Sequence, residues 1–584
     1  MPFDGLVLKA VEGELKEKIL NGRIDKIYQP EKDSLLFVIR SNNRNFKLYI
    51  TANPSFPRLH LTDFEKENPK TPPPFCMLLR KHLTSGKIIE IKQEGLDRIL
   101  KLDIETYDEI GDLSIKTLII EIMGKHSNVI LITNEGIIID AIKRVGSEIN
   151  RYREILPGIP YVPPPQPDKS SLLELDASLM EKIRNSKQKI SKCIMENLMG
   201  ISPIIAEEIC TRANIDSSKP GEKLSKEEFE RLYMVLKELS NTLKDKKFYP
   251  NIIKDQNGNF VDFSCIDITL YEGLEKETFK EINKTIDVYY HRKEELNRIS
   301  QIKSDLKKVI NSSIEKISKK LEAQVEEFNS VLEYEKYRLY GDLILMNMHL
   351  ISNGDEFLEC INYEDNKVIK LPLDKNLSPA QNAQKYYKLY QKSKNTFLNL
   401  EAQIEKNKEE LNYLEEVLNS IEISENQEEL EEIREELVRQ GYLKEKNLQK
   451  IKTSKSMPHV FTSSDGFEIY VGKNNTQNDF LTLKMASDDD IWLHTKNIPG
   501  SHVIIKTNKK RVPESTLMEA SILAAFFSKA KNSSNIPVDY TFKKFVKKPK
   551  GTKPGMVIYH NYKTIYVTPS KDNVDKIMNN KKRD

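Results

Sequence analysis

In the stretch Gln93–Thr106, QEGLDRILKLDIET, Asp97 and Arg98 are side chains that could grip a ligand. The stretch reads as a turn at Gly95 followed by a strand. Counting in twos puts Leu96, Arg98, Leu100, Leu102 and Ile104 on one face and Asp97, Ile99, Lys101 and Asp103 on the other. An arginine therefore stands in the apolar row, where a guanidinium without a partner is costly. In LIIEIMGKHSNVI, Glu121 shares a face with Ile119 and Met123 and needs a partner too. Two arrangements satisfy both residues. One is a buried Arg98–Glu121 pair that specifies the fold. The other is a polar cleft in which Asp97, Arg98 and Glu121 hold a ligand. The polar turn Gly124, Lys125, His126, Ser127 and Asn128 could meet a phosphate or a nucleobase, or serve only as a hairpin loop. His126 has no Cys or carboxylate at ligand spacing, which argues against a metal.

A second group lies in DDDIWLHTKNIPGSHVII, where the only tryptophan, Trp492, is followed by His494, Lys496, Ser501 and His502. An aromatic among basic and hydroxyl residues suits base stacking and phosphate contact, and strand alternation equally suits a core tryptophan. His494 and His502 have no third ligand nearby, so no metal is expected. Downstream, FKKFVKKPKGTKPG interleaves Lys543, Lys544, Lys547 and Lys548 with aromatics and prolines, which makes a phosphate-binding surface or a solvated basic face.

Bond-making machinery is not legible. The chain has no G-x-x-x-x-G-K-[ST], no G-x-G-x-x-G after a strand, no H-E-x-x-H and no G-x-S-x-G, and no cofactor is expected. Pro2 could act as an amine nucleophile, as in formamidopyrimidine-type DNA glycosylases. Those enzymes follow that proline with glutamate where this chain has Phe3, and they carry a four-cysteine zinc finger. The five cysteines here, Cys76, Cys193, Cys210, Cys265 and Cys360, are far apart and form no C-x-x-C, which fits a reducing compartment.

The elements that must position these residues span several domains, since 584 residues exceed one core. Residues 1–168 read as α+β, with a helix over Leu6–Leu20, a helix in PPPFCMLLRKHLTSGK, a hairpin about Asn134–Gly136 and a proline-rich close. Residues 169–280 read as largely helical. Their MGIS turn is that of a helix-hairpin-helix motif, whose amides can hold phosphate, or of a plain helical packing unit. Residues 281–445 read as an antiparallel coiled-coil hairpin about a compact insert. The seam Phe397, Leu400, Ile404, Asn407, Leu411, Leu414, Leu418 and Ile421 is heptad-spaced, with Asn407 able to fix register. Such an arm of about 35 residues reaches roughly 50 Å; a filament or dimer coiled coil is the rival. Residues 446–584 read as a strand-rich domain with a helix in PESTLMEASILAAFFSKAKNS and a final hairpin, GMVIYHNYKTIYVTP. The net charge is only +3, yet Phe542 to Asp584 holds twelve Lys/Arg against three Asp and no Glu, a basic tail that seeks anions. No signal peptide or membrane span is read, so a cytoplasmic protein is expected.

Several motifs together resemble one family. FDG, PPPFCMLLRKHL, GLDRI, EIMGKHSN and PGIPYVPPP resemble the N-terminal domain of the NFACT proteins. YGDLILMNMH and LSPAQNAQKYYKLYQK are similar to their central region, and GKNNTQND and WLHTKNIPGSHVII to their RNA-binding domain. The resemblance covers nearly the whole chain. It implies a multidomain α+β fold with a glycosylase-like first domain, a coiled-coil hairpin and a C-terminal RNA-binding domain. It also implies a ribosome quality-control factor rather than an enzyme. Such a factor binds the large ribosomal subunit still carrying stalled peptidyl-tRNA, recruits a charged tRNA, mainly for alanine, and directs template-free tailing of the nascent chain. Ribosomal RNA makes the bond. The resemblance assigns tRNA binding to Asp97 and Arg98, to Glu121, Ile122, Met123 and Gly124, and more weakly to Lys125, His126, Ser127 and Asn128. It assigns RNA binding to the C-terminal residues named above. A fibronectin-binding surface adhesin, a glycosylase-like DNA enzyme and a general RNA scaffold are the competing expectations.

Overall fold

The computed structural model describes residues 3–107, 111–165, 168–175, 177–352, 354–444 and 456–579, in two compact units, Met1–Glu295 and Leu296–Asp584. Pro2 lies outside the described residues. Asp4 starts helix α1 (Gly5–Ile19) by accepting from the amides of Leu6 and Val7. The strands that follow are β1 (Arg23–Tyr28), β2 (Ser34–Ser41), β3 (Arg44–Thr51) and β4 (Arg58–Leu61). After helix α2 (Pro74–Leu83) come β5 (Lys87–Gln93), β6 (Ile99–Tyr107), β7 (Leu113–Glu121), β8 (Asn128–Thr133) and β9 (Ile138–Ala141). They make one antiparallel sheet in the order β4-β3-β2-β1-β5-β6-β7-β8-β9. The predicted turn at Asn134–Gly136 joins β8 to β9, and Gly136 takes a φ of +80° there.

Leu100, Leu102 and Ile104 point into the main core with Leu8, Val11, Leu15 and Ile19 of α1, as their alternation predicts. The opposite row is mixed, with Asp97, Lys101 and Asp103 half-buried and Ile99 fully buried. Ile99 packs with Ile119, Ile130, Ile138 and Ile155 in a second, smaller core. Arg98 is not in the strand at all: the turn opened by Gly95 runs on through it, and β6 begins at Ile99.

Helices α3 (Ala177–Arg184), α4 (Ile190–Asn197), α5 (Pro203–Arg212) and α6 (Lys226–Asp245) follow, then a three-stranded sheet of β10 (Asn251–Lys254), β11 (Phe260–Ser264) and β12 (Glu275–Thr278). Ile194, Ile205, Leu236 and Phe263 from these elements belong to the same core as α1. Met199 to Ser202 form the link between α4 and α5.

Two long helices, α7 (Ile282–Ser330) and α9 (Pro379–Ile423), run antiparallel: Lys303 reaches Glu422 while Phe328 stacks on Phe397. Between them lie α8 (Glu335–Met346) and the hairpin β13 (Phe357–Ile361) and β14 (Val368–Pro372), which share a small core with the start of α9. SPAQNAQ is the capped start of α9, since Ser378 and Gln381 form a reciprocal capping box. Asn407 is buried and donates to Gln324 of the opposite helix, which in turn donates to Gln403. The seam broadens from Tyr413 onward. Tyr413 and Val417 are buried beside Leu414 and Ile421, because helix α10 (Gln427–Arg439) packs Leu430, Ile433 and Leu437 on that side.

The remaining elements are β15 (His459–Thr462), β16 (Glu468–Val471), α11 (Asn475–Phe480), β17 (Ile491–Thr495), β18 (Val503–Ile505), α12 (Glu514–Phe526), β19 (Ile536–Phe542), β20 (Val546–Lys547), β21 (Ile558–Tyr559), β22 (Lys563–Val567) and α13 (Lys571–Asn579). Six strands form a sheet in the order β15-β16-β18-β17-β19-β22, with α12 on one face. The predicted final hairpin does not form. β21 pairs with β20 and β22 with β19, so the two halves of GMVIYHNYKTIYVTP serve different sheets.

Candidate nucleic-acid interface

Three distant segments meet around Asp97 and Arg98. Glu94 to Asp97 form a turn closed by the Asp97 amide on the Glu94 carbonyl, 2.9 Å, with Gly95 at φ +57°. The Asp97 carboxylate accepts from the Arg98 amide at 2.7 Å. Gln93, buried at the end of β5, donates its one amide nitrogen both to the carbonyl of Asp97, 2.9 Å, and to that of Gly5, 3.0 Å. Gly5 in turn donates its amide to the Gly200 carbonyl, 3.0 Å. The FDG, LDR and MGIS motifs are thus one assembly.

Only glycine fits at its centre. A Cβ on Gly5 would lie 2.0 Å from the Leu96 carbonyl oxygen and 2.6 Å from the Gly200 Cα. A Cβ on Gly200 would lie 2.3 Å from the same oxygen, and its φ of +77° disfavours any other residue. Two helices start here. Ser202 caps α5 and donates its hydroxyl to Asp4, the cap of α1, at 2.7 Å. Burial pushes the Asp4 carboxyl up to about 6, against the stabilising bonds from Val7, Ser202 and Leu6 and the charge of Arg98. The MGIS turn therefore braces the Asp97–Arg98 turn, with the Asp4 carboxyl lying beside the start of α5.

The EIMGKHSN segment is tied to the same turn, as Ile122 donates its amide to the Arg98 carbonyl at 2.9 Å. Its residues divide by depth. Glu121 is fully buried, and its partner is Arg153, which makes a two-pronged pair with it, rather than Arg98. Tyr161 donates to Glu121 as well, at 2.8 Å. Ile122 lies in the main core and Met123 against the smaller one. Ser127 and Asn128 are also buried. Ser127 accepts from the Met123 amide, 2.8 Å, and Asn128 holds both the amide and the carbonyl of Lys143. Gly124, at φ +61°, opens a single 3-10 turn that exposes Lys125 and His126. The accessible surface here comprises Asp97 and Arg98, both half-buried, with Lys125 and His126.

In the C-terminal sheet, Trp492 is a core residue, fully buried among Ile504, Leu481 and Val546. His502 is buried too; its ring meets the Thr482 hydroxyl at 2.7 Å, and burial drives its pKa well below the ordinary value. Burial lowers that of His494 as well, and its ring nitrogen meets the Gly500 carbonyl at 3.4 Å. Ser501 is buried. Lys543 pairs with Asp488 at 3.1 Å and Lys548 pairs with Asp479. Lys544 and Lys547 are exposed, and half-buried Lys496 lies 4.0 Å from Asp539. The GKNNTQND motif faces α10: Lys473 pairs with Glu429 at 2.8 Å, Asn474 reaches Glu432 at 2.8 Å, and Thr476 reaches Glu436 at 2.9 Å. That motif joins the sheet domain to the base of the coiled coil. Among the described residues no cluster of three or more His, Cys, Asp or Glu side chains could hold a metal, and no helix is long and apolar enough to cross a membrane.

The family model described as NFACT N-terminal and middle domains matches residues 4–456, and the NFACT protein RNA binding domain matches 457–561. The Rqc2 homolog RqcH of Bacillus subtilis is 39% identical over 590 aligned residues, covering 99% of this chain and 100% of that protein. The ribosome quality control complex subunit NEMF of Mus musculus is 24% identical, covering 60% of this chain and 34% of its own length. A solved structure described as the N-terminal part of the fibronectin/fibrinogen-binding protein from Streptococcus suis is 31% identical, covers 50% of this chain and 99% of its own, and has a TM-score of 0.42.

Proposed function

Since this chain belongs to the NFACT family, we propose that it is a ribosome quality-control factor that recruits tRNA rather than making bonds itself. The observation that carries the reading is 39% identity to an Rqc2 homolog RqcH across the full length of both chains. In this reading the protein binds, in the cytoplasm, the large ribosomal subunit that retains stalled peptidyl-tRNA. It brings in alanyl-tRNA and directs template-free addition of alanine to the nascent chain, while ribosomal RNA performs peptidyl transfer. Arg98 supplies a planar fork for phosphate or a base edge, and Asp97, fixed by its bond to the Arg98 amide, accepts from a base. Lys125 and His126 extend the contact. Glu121, Ile122, Ser127 and Asn128 act from below, holding the turn in place. The division into parts at 1–168, 169–280, 281–445 and 446–584 assigns tRNA to the first and ribosomal RNA to the last.

The test is a stalled-translation reporter in a host lacking its own copy of the factor, with the released chains read by mass spectrometry. Restoring this protein should restore C-terminal alanine tails, and their absence would contradict the reading. The name of the Streptococcus suis structure supports one other reading, fibronectin binding. Saturable binding of the purified chain to immobilised fibronectin, with no tails formed, would favour it.

A further inference from the structure

Burial of Trp492, His502 and Ser501 removes them from any RNA surface, yet the strand beside Trp492 and the segment before β22 expose further rings, linked to it through Tyr559, which lies 4.8 Å from the Trp492 ring. Tyr562 and Tyr566 are 43% and 60% exposed, and Phe542 is 47% exposed. Surface aromatics that size normally bury themselves or meet a ligand. Cations stand over two of them. The Lys496 ammonium lies 4.9 Å from the Tyr562 ring, and that of Lys544 lies 5.4 Å from Phe542 and 5.2 Å from Phe545. The rings are linked along the chain, since Phe545 contacts His560 at 5.2 Å and Tyr562 contacts Tyr559 at 5.3 Å. Tyr559 is locked from beneath by its hydroxyl on Asp539, 3.0 Å. Among the described residues no carboxylate pairs with Lys544 or Lys547, whereas Lys543 and Lys548 are already engaged and Lys496 lies 4.0 Å from the Asp539 carboxylate.

We propose that this face is a stacking platform for unpaired RNA bases, with Tyr562 and Phe545 as the ring contacts and Lys496 and Lys544 as phosphate contacts. The proposal rests on the RNA-binding role of the C-terminal domain and adds the strand state of its ligand. A paired duplex offers phosphates and 2′-hydroxyls but hides its base faces, so it would use the lysines and leave the rings idle; a splayed strand uses both. A protein partner would need neither alternating cations nor ring faces held open at the sheet edge.

The test uses the full-length chain carrying Asp97→Ala and Arg98→Ala, so that the N-terminal site does not contribute. Binding is followed by anisotropy with a labelled single-stranded oligoribonucleotide and with a duplex of equal length, over a range of salt. Tyr562→Ala with Phe545→Ala should weaken single-strand binding about tenfold or more and leave duplex binding and the salt slope unchanged. Tyr562→Phe should restore the single-strand affinity. Lys544→Ala should weaken both ligands alike and lower the salt slope by about one. Equal affinity of the parent protein for strand and duplex, or no effect of removing the rings, would overturn the platform. Failure of the same parent to associate with ribosomes would instead count against the quality-control reading, leaving the strand-state result to stand on its own.

Discussion

The amide of Gly5 donates to the carbonyl of Gly200 at 3.0 Å, and the Leu96 carbonyl oxygen is wedged against both glycines. This contact joins the start of α1, the turn that presents Asp97 and Arg98, and the start of α5. It makes the accuracy of the candidate site a property of three segments that are remote in sequence.

Gly200→Ala should therefore lower stability by about 2 kcal/mol or more, from the left-handed backbone and the close approach together. It should also reduce tRNA recovery although no ligand-facing side chain has changed. Gly13→Ala is the matched control. Its added Cβ meets nothing within 4 Å in α1, so the change should leave tRNA recovery intact and stabilise by roughly 0.5–1 kcal/mol. Urea denaturation of the two variants checks the stability difference.

Arg153→Ala should be among the most damaging single changes in the N-terminal unit, costing about 3–5 kcal/mol, because it leaves the Glu121 carboxylate buried and uncompensated. Removing the charge pair as a pair, Glu121→Gln with Arg153→Met, should recover most of that loss while Tyr161 keeps an acceptor. If Glu121 acts by positioning, the double variant also keeps its tRNA; a folded double variant without tRNA would make Glu121 a direct contact.

Glu416 should make the coiled-coil base pH-sensitive. Burial pushes its carboxyl up to about 8, with Glu436 and Asp479 adding repulsion, and one of its oxygens has no hydrogen-bond partner. A carboxyl with a raised folded pKa favours the folded state fully below its ordinary value of 4.5 and loses that contribution as pH rises through about 8. Denaturation midpoints measured from about pH 5 to about pH 9 should fall for the wild type relative to Glu416→Gln. Asp4 has the same sign over a lower window, from 3.8 to about 6. Parallel curves for wild type and Glu416→Gln would show that Glu416 does not titrate in this range.

Local rules carried some of these features and not others. The alternation of Leu100, Leu102 and Ile104 and the seam residues Leu400, Ile404, Asn407, Leu414 and Ile421 are legible, because each depends on period alone. Arg98 was misplaced by extending that period backward through a turn. Tyr413 and Val417 lie outside the heptad count because α10, which buries them, packs beside the seam and widens it. Arg153, the partner of Glu121, stands thirty-two residues away in an irregular segment, where no periodicity operates. FDG, GLDR and MGIS each stood out as motifs, yet nothing in their spacing says that Gly5, Leu96 and Gly200 touch. Only packing of the helices on the sheet brings them together. The failed C-terminal hairpin has a similar cause: β20 and β19 supply better-placed partners than the adjacent strand does.

Whether the turn bearing Asp97 and Arg98 grips tRNA can be read most directly by purifying the tagged protein from cells in mild salt and sequencing the bound RNA, wild type beside Asp97→Ala/Arg98→Ala. Large-subunit ribosomal RNA should come with both proteins and an enriched alanine tRNA with the wild type alone. An equal tRNA yield from the double variant, or ribosomal RNA lost together with the tRNA, would contradict that role for the turn.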